Sequence, residues 1–189
     1  MAEVEKYLSS TGQKFIRSRE PGGTQLGEKI RALLLDGEDD KMEPLTAALL
    51  FAAARHQHVK DVIIPNTESG THVLCDRFVT SSVAFQGHGQ GINPDVIRGI
   101  NEYATIGIKP DLTIVLDLPL EIAEARIRAR NGDKDRFEGF DQAFQKRVRE
   151  GYLKEAYRNP NKFEVVNAEQ SFEDVVAECI GLIRNRLNA

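Results

Sequence analysis

The sequence predicts an α/β protein with a doubly wound parallel sheet and helices on both faces. Short β-branched runs alternate with longer helical patterns, the order expected when crossover helices join parallel strands. The run LTIVLDL (112–118) is apolar nearly throughout, as a strand must be when helices cover both faces of its sheet. The 189 residues suffice for one domain with a substantial core, and a second independent core does not fit. No internal repeat or low-complexity segment interrupts the alternation.

The opening, MAEVEKYLSSTGQK, places Val4, Tyr7 and Leu8 at i, i+3 and i+4, one face of a helix, with Gly12 where a helix C-terminal glycine belongs. No Ser, Thr, Asp or Asn precedes them to cap the first turn, so this helix has an end but no recognisable beginning. Strands are expected at KFIRS (14–18), HVLCD (72–76), LTIVLDL (112–118) and KFEVVN (162–167). Helical patterns fall at about 24–35, 43–60, 94–105, 120–130, 141–157 and 172–187. In such sheets ligands bind beyond the carboxyl ends of the strands, so function belongs in the residues that follow each strand.

Composition narrows the chemistry. Lys and Arg number 25 against 29 Asp and Glu, a net charge of −4 that argues against nonspecific nucleic-acid binding. An anionic ligand therefore needs a local basic cluster. Cys75 and Cys179 are far apart, match no metal spacing and read as reduced, buried thiols. With no membrane-spanning run and no signal-peptide pattern, a cytoplasmic protein is expected.

The first strand leads into REPGGTQLGEKIR, where Pro21, Gly22 and Gly23 form a tight turn and Thr24 caps a helix whose free N–H groups can face an anion. Taken alone it reads equally well as a bare strand-to-helix turn, and Arg19, Glu20 and Arg31 tilt it toward a site. The second strand leads into CDRFVTSSVAFQGHGQG. There Asp76 suits magnesium-bound water or a proton, and Arg77 suits phosphate oxygens, unless the two merely satisfy each other. Ser81, Ser82 and Gln86 supply groups that read a polar heterocycle edge, and Gly87, Gly89 and Gly91 read as a flexible loop.

In LTAALLFAAARHQH, Phe51 and Arg55 share a face of an almost wholly apolar helix, a floor for a base with an anion nearby. The plainer alternative is a core phenylalanine and an arginine snorkelling to water. His56 and His58, two apart, face different ways and form no metal pair. Finally, RIRARNGDKDRFEGF carries Arg126 and Arg130 on one face, with Arg128, Lys134 and Arg136 around Gly132. Asp133, Asp135 and Glu138 partly neutralise this cluster, so it is either a solvated helix end or a segment that closes over a polyphosphate.

Taken together, REPGGT, LLFAAAR, CDRF with SSVAFQG, and the arginine-rich segment resemble the bacterial thymidylate kinases, over essentially the whole chain. The resemblance implies a single P-loop kinase-like domain over 1–189, phosphorylating dTMP to dTDP with ATP and Mg2+, with a lid at about 126–140. Phe51 would stack on thymine, Arg55 and Ser82 would hold its polar edge, and Arg31 would line the dTMP pocket. Arg77 would bind the monophosphate with Ser81 and Gln86 nearby. Glu20 would lie beside the sugar and the metal-water network, and Phe85 under the deoxyribose. Arg126, Arg130 and Arg136 would reach the ATP phosphates from the lid, and Asp76 would serve magnesium through water or the acceptor phosphate. Arg77, Asp76, Arg130 and Arg136 form the implied catalytic set. A cytoplasmic homodimer is implied too, with small-molecule partners only: no nucleic acid and no membrane.

Similar kinases begin with a strand and a Gly-rich loop ending in Gly-Lys-Ser/Thr, and no G-x-x-x-x-G-K-[ST] run occurs in the 189 residues. The resemblance thus implies an N-terminally truncated domain without its central first strand, which belongs between the second and third strands read above. With strands about 4.8 Å apart, the expected result is a gap near 10 Å or a forced pairing of two edges. Without the loop, greatly reduced transfer is expected. Two further readings remain: a catalytically silent dTMP-binding or dimerising module, and a related kinase with another base preference.

Overall fold

The computed structural model of the chain describes residues 1–35, 42–129 and 141–188. Helix α1 (Ala2–Ser10) buries Val4 and Leu8, receives no side-chain cap from Met1, and ends at Thr11 with Gly12 at φ +71°. Strand β1 (Phe15–Arg19) pairs in parallel with β2 (His72–Asp76), and β3 (Thr113–Asp117) pairs in parallel with β4 (Phe163–Asn167). All four strands lie within a residue of their expected bounds, because short β-branched runs have no competing helical pattern.

Helices α2 (Gln25–Leu35) and α3 (Pro44–His58) follow β1. The chain then continues as a π turn over Val59–Ile63 and a short helix α4 (Ile64–Glu68), further than the helical pattern alone indicates. After β2 come α5 (Val79–Ser82) and a second π segment, Val83–Gly89. The expected flexible loop at Gly87 and Gly89 is therefore helical. A Cβ at Gly89 would stand 2.6 Å from Phe144 Cε2 and 2.8 Å from Val148 Cγ2, so glycine here permits close helix packing rather than flexibility. Helix α6 (Pro94–Thr105) starts on Asn93, whose side chain accepts from the Asp95 N–H. Helices α7 (Leu120–Ala129), α8 (Gln142–Arg158) and α9 (Phe172–Leu187) complete the set, with Asp141 capping α8 and Ser171 capping α9.

The core gathers around α3, whose alanines let neighbours approach. Ala47 and Ala54 pack with Ile30 and Leu34 of α2, and Ala48 packs with Val83 and Ile97. Phe144 and Val148 of α8 close on Ala84, with Phe51, Phe85 and Tyr152 against them. The strands make two two-stranded sheets, and no ladder joins β2 to β3 among the described residues. Strand cover departs from expectation accordingly: Leu116 is 56% exposed and Val165 45% exposed, and neither α7 nor α9 buries a residue. A ribbon two strands wide presents too little area for helices to cover both faces.

Candidate active site

The register of β1 against β2 builds the site. Arg19 pairs with Asp76, and the Glu20 N–H donates to the Asp76 carbonyl at 2.9 Å, so the segments leaving the two strands emerge side by side. Beyond β1 the REPGGT turn is fastened at several points. Thr24 Oγ1 accepts from the Gly27 N–H at 2.9 Å, and Arg31 Nη1 donates to the Pro21 carbonyl at 2.9 Å. The Gly23 N–H donates to Glu28 Oε1 at 3.0 Å, which holds that carboxyl below its ordinary range with help from Arg19. The anion expected to face this turn is thus supplied at Gly23 by the chain's own Glu28. Gly23 adopts φ +78°, and a Cβ there would meet His58 Cδ2 and Ser18 Oγ, each at 2.8 Å.

Helix α3 brings Arg55 beneath this turn. Arg55 is only 2% exposed and does not snorkel. Its Nε donates to Glu20 Oε2 at 2.7 Å, and its Nη1 donates to Ser82 Oγ at 3.1 Å and to Asn101 Oδ1. Asn101 is oriented by its own Nδ2, which donates to the Ile97 carbonyl at 2.8 Å. The other Glu20 oxygen lies 2.9 Å from His58 Nδ1, and His58 Nε2 is 2.6 Å from Ser18 Oγ. A carboxylate accepts only, so Nδ1 carries the proton in this arrangement. The guanidinium also lies 5.5 Å from the centre of the Phe78 ring. His56 turns the other way, to the Ala104 carbonyl, as the two-residue spacing predicts.

Arg77 leaves β2 at φ +67°, a conformation costly for a residue with a side chain. Its guanidinium lies 5.3 Å from the centre of the Phe85 ring, and no carboxylate among the described residues is within ion-pair distance of it. The mutual Asp76–Arg77 pair is therefore not formed. Phe85 in turn packs edge-on against Phe144 and Tyr152, and the Tyr152 hydroxyl is 2.7 Å from Ser81 Oγ.

These segments enclose one cavity. Glu20 and Arg31 line it from the turn, Phe51 and Arg55 from α3, and Arg77 from the end of β2. Ser81, Ser82, Phe85 and Gln86 complete the wall. Pro21 and Leu35 line it as well, unanticipated from sequence. Also missed were Asn101, His58 and Tyr152, although each left a trace: a polar residue amid the buried face of α6, a histidine three residues after Arg55, and a tyrosine continuing the Phe144, Val148 stripe.

A model of the thymidylate kinase family matches residues 1–179. The chain belongs to the thymidylate kinase family. It is 42% identical over 188 residues to a thymidylate kinase of Lactobacillus acidophilus, an alignment spanning 99% of this chain and 86% of that one. A Halalkalibacterium halodurans thymidylate kinase is 39% identical over 186 residues, 98% of this chain and 89% of the relative. One from Citrifermentans bemidjiense is 44% identical over 169 residues, 87% and 75% respectively.

Set against the family expectation, the remaining residues divide. Asp76 ends β2 with an exposed side chain. Arg126 is exposed on α7 and does not line the cavity. Arg130 and Arg136, with Gly132, Asp133, Lys134, Asp135 and Glu138, lie outside the described residues. The two thiols are free and half-buried rather than fully buried. Desolvation, with the charges of Glu20 and Asp76, pushes the Cys75 thiol far above its ordinary range, so it stays protonated and unreactive. No helix among the described residues is long and apolar enough to cross a membrane.

Proposed function

We propose that the cavity is a dTMP site and that the chain transfers the γ-phosphoryl group of ATP to the dTMP phosphate, giving dTDP and ADP. The observation that carries this reading is the convergence of all the residues assigned to dTMP by the family resemblance on one cavity wall. Phe51 offers a face for thymine. Arg55 has Nε and Nη1 committed to Glu20, Ser82 and Asn101, leaving its Nη2 donors for the base. Donors there suit the O4 acceptor of thymine and oppose the N4 amino group of cytosine. Phe85 lies under the sugar. Arg77, strained and free of protein carboxylates among the described residues, takes the acceptor phosphate.

Magnesium bound to ATP would neutralise charge between the phosphates. Among the described residues no three His, Cys, Asp or Glu side chains form a metal cage, and Asp76 is a lone exposed carboxylate. That donor set fits a Mg2+ held mainly by waters and substrate phosphates. Arg126, Arg130 and Arg136 are assigned to the ATP phosphates. A homodimer is supported by exposed Leu33 of α2 and Leu45 and Leu49 of α3, and a reducing cytoplasm suits the free thiols.

The test is calorimetry of the 189-residue chain with dTMP, dUMP and dCMP. We expect dTMP and dUMP to bind and dCMP to bind at least about tenfold more weakly. No heat with dTMP, or equal affinity for dCMP, overturns the reading. A coupled ADP-release assay with dTMP and ATP reads the transfer step itself.

A further inference from the structure

Arg55 does not stand alone behind the base pocket: a buried chain of hydrogen bonds runs from Ser18 through His58 and Glu20 to its guanidinium. We propose that His58 is a positioning residue for base selection, acting through Glu20 to fix the direction of the Arg55 donors. The inference rests on the dTMP reading of the cavity. His58 is 0% exposed and does not line the cavity, so it never touches a ligand there. Its Nδ1–H holds Glu20 Oε1, and this leaves Oε2 as the one oxygen facing Arg55 Nε. A carboxylate held at one oxygen only would be free to rotate and take the guanidinium bidentately, through Nε and Nη2 together. That alternative pairing would consume the Nη2 donors that the base requires.

The surroundings are built around this histidine. Ser18 Oγ anchors Nε2 at 2.6 Å, which fixes the ring plane. Gly23 leaves the space the ring occupies, since a Cβ there would lie 2.8 Å from Cδ2. On the far side of Arg55, Asn101 and Ser82 hold Nη1, so among the described residues Glu20 is the one hydrogen-bond partner of Arg55 that His58 touches. Loss of His58 therefore changes which donors face the cavity while removing no residue from its lining.

Two substitutions separate this role from packing. Asn places an amide nitrogen near the Nδ1 position, and Gln places one near the Nε2 position. His58→Gln is expected to weaken dTMP binding about tenfold and to shrink the dTMP-over-dCMP preference by a similar factor, because a charged hydrogen bond is lost. His58→Asn, which keeps a donor toward Glu20, is expected to recover most of that preference although its side chain is smaller. Ser18→Ala, a milder change that frees the ring, should reduce the preference about threefold if His58→Gln does not fold. Circular dichroism melts establish that each variant is folded. Absence of dTMP binding by the unmodified chain overturns the cavity reading itself. An unmodified chain that selects dTMP, with folded His58→Gln or Ser18→Ala variants equally selective, overturns the His58 role alone. Equal loss in His58→Asn and His58→Gln also overturns it, since packing would then account for both.

Discussion

Replacing Arg55 by Met tests whether the buried guanidinium is the structural keystone of the site. Met and Arg have similar helix propensity, so α3 itself should be little affected and the change isolates the side chain. The substitution removes the bonds to Glu20, Ser82 and Asn101 and leaves Glu20, 4% exposed, with His58 as its one side-chain partner among the described residues. Breaking one side of a buried ion pair costs about 3–5 kcal/mol, because the surviving charge is left uncompensated. For a chain of this size that corresponds to a fall in Tm of roughly 6–20 °C. Glu20→Gln alone should cost a similar amount by stranding Arg55. The double variant Arg55→Met with Glu20→Gln carries no stranded charge, so its loss should fall short of the sum by about 2 kcal/mol or more. Urea unfolding of the four proteins, followed by circular dichroism, measures the cycle. An Arg55→Met variant within about 1 kcal/mol of the parent, or strictly additive losses, would refute the reasoning.

Two further outcomes follow from other parts of the structure. Gly89→Ala drives a Cβ to within 2.6 Å of Phe144 and 2.8 Å of Val148, both buried, so overpacking should cost about 1–3 kcal/mol in urea unfolding and displace Phe85 and Gln86 enough to weaken dTMP binding by calorimetry. Arg149 grips Asp117 through two hydrogen bonds, of 2.7 and 2.9 Å, which depress the Asp117 carboxyl below its ordinary range. A carboxyl with a depressed folded-state value stabilises the protein above its unfolded value and loses that contribution as pH falls through the folded one. Unfolding midpoints taken from neutral pH to well below about pH 4 should therefore drop less steeply for Asp117→Asn than for the parent, and parallel curves would contradict the assignment.

The legible parts of this protein are those decided locally. The four strands could be read because β-branched runs admit no competing period, and Phe51 with Arg55 could be paired because i and i+4 share a helix face whatever surrounds them. Whether Arg55 is buried or snorkels is not a local question. It turns on Glu20, Ser82 and Asn101, which reach it from 35, 27 and 46 residues away. The π segment at Val83–Gly89 escaped for the same reason: its glycines look like loop residues until Phe144 and Val148, more than fifty residues on, are seen lying against Gly89.

The split sheet concentrates these long-range contacts on one side of the molecule. Apart from Arg77, which directly follows β2, every cavity residue comes from the turn and α2 that follow β1, or from α3, α5 and the second π segment. β3 and β4 contribute none, and they carry the exposed Leu116 and Val165. The cavity wall therefore draws on the β1–β2 pair, the helices that follow it and α8, and the buried clusters behind it contain no residue of β3 or β4. Perturbing the β3–β4 half, as Asp117→Asn does, should accordingly shift unfolding more than dTMP affinity, whereas Arg55→Met should move both together.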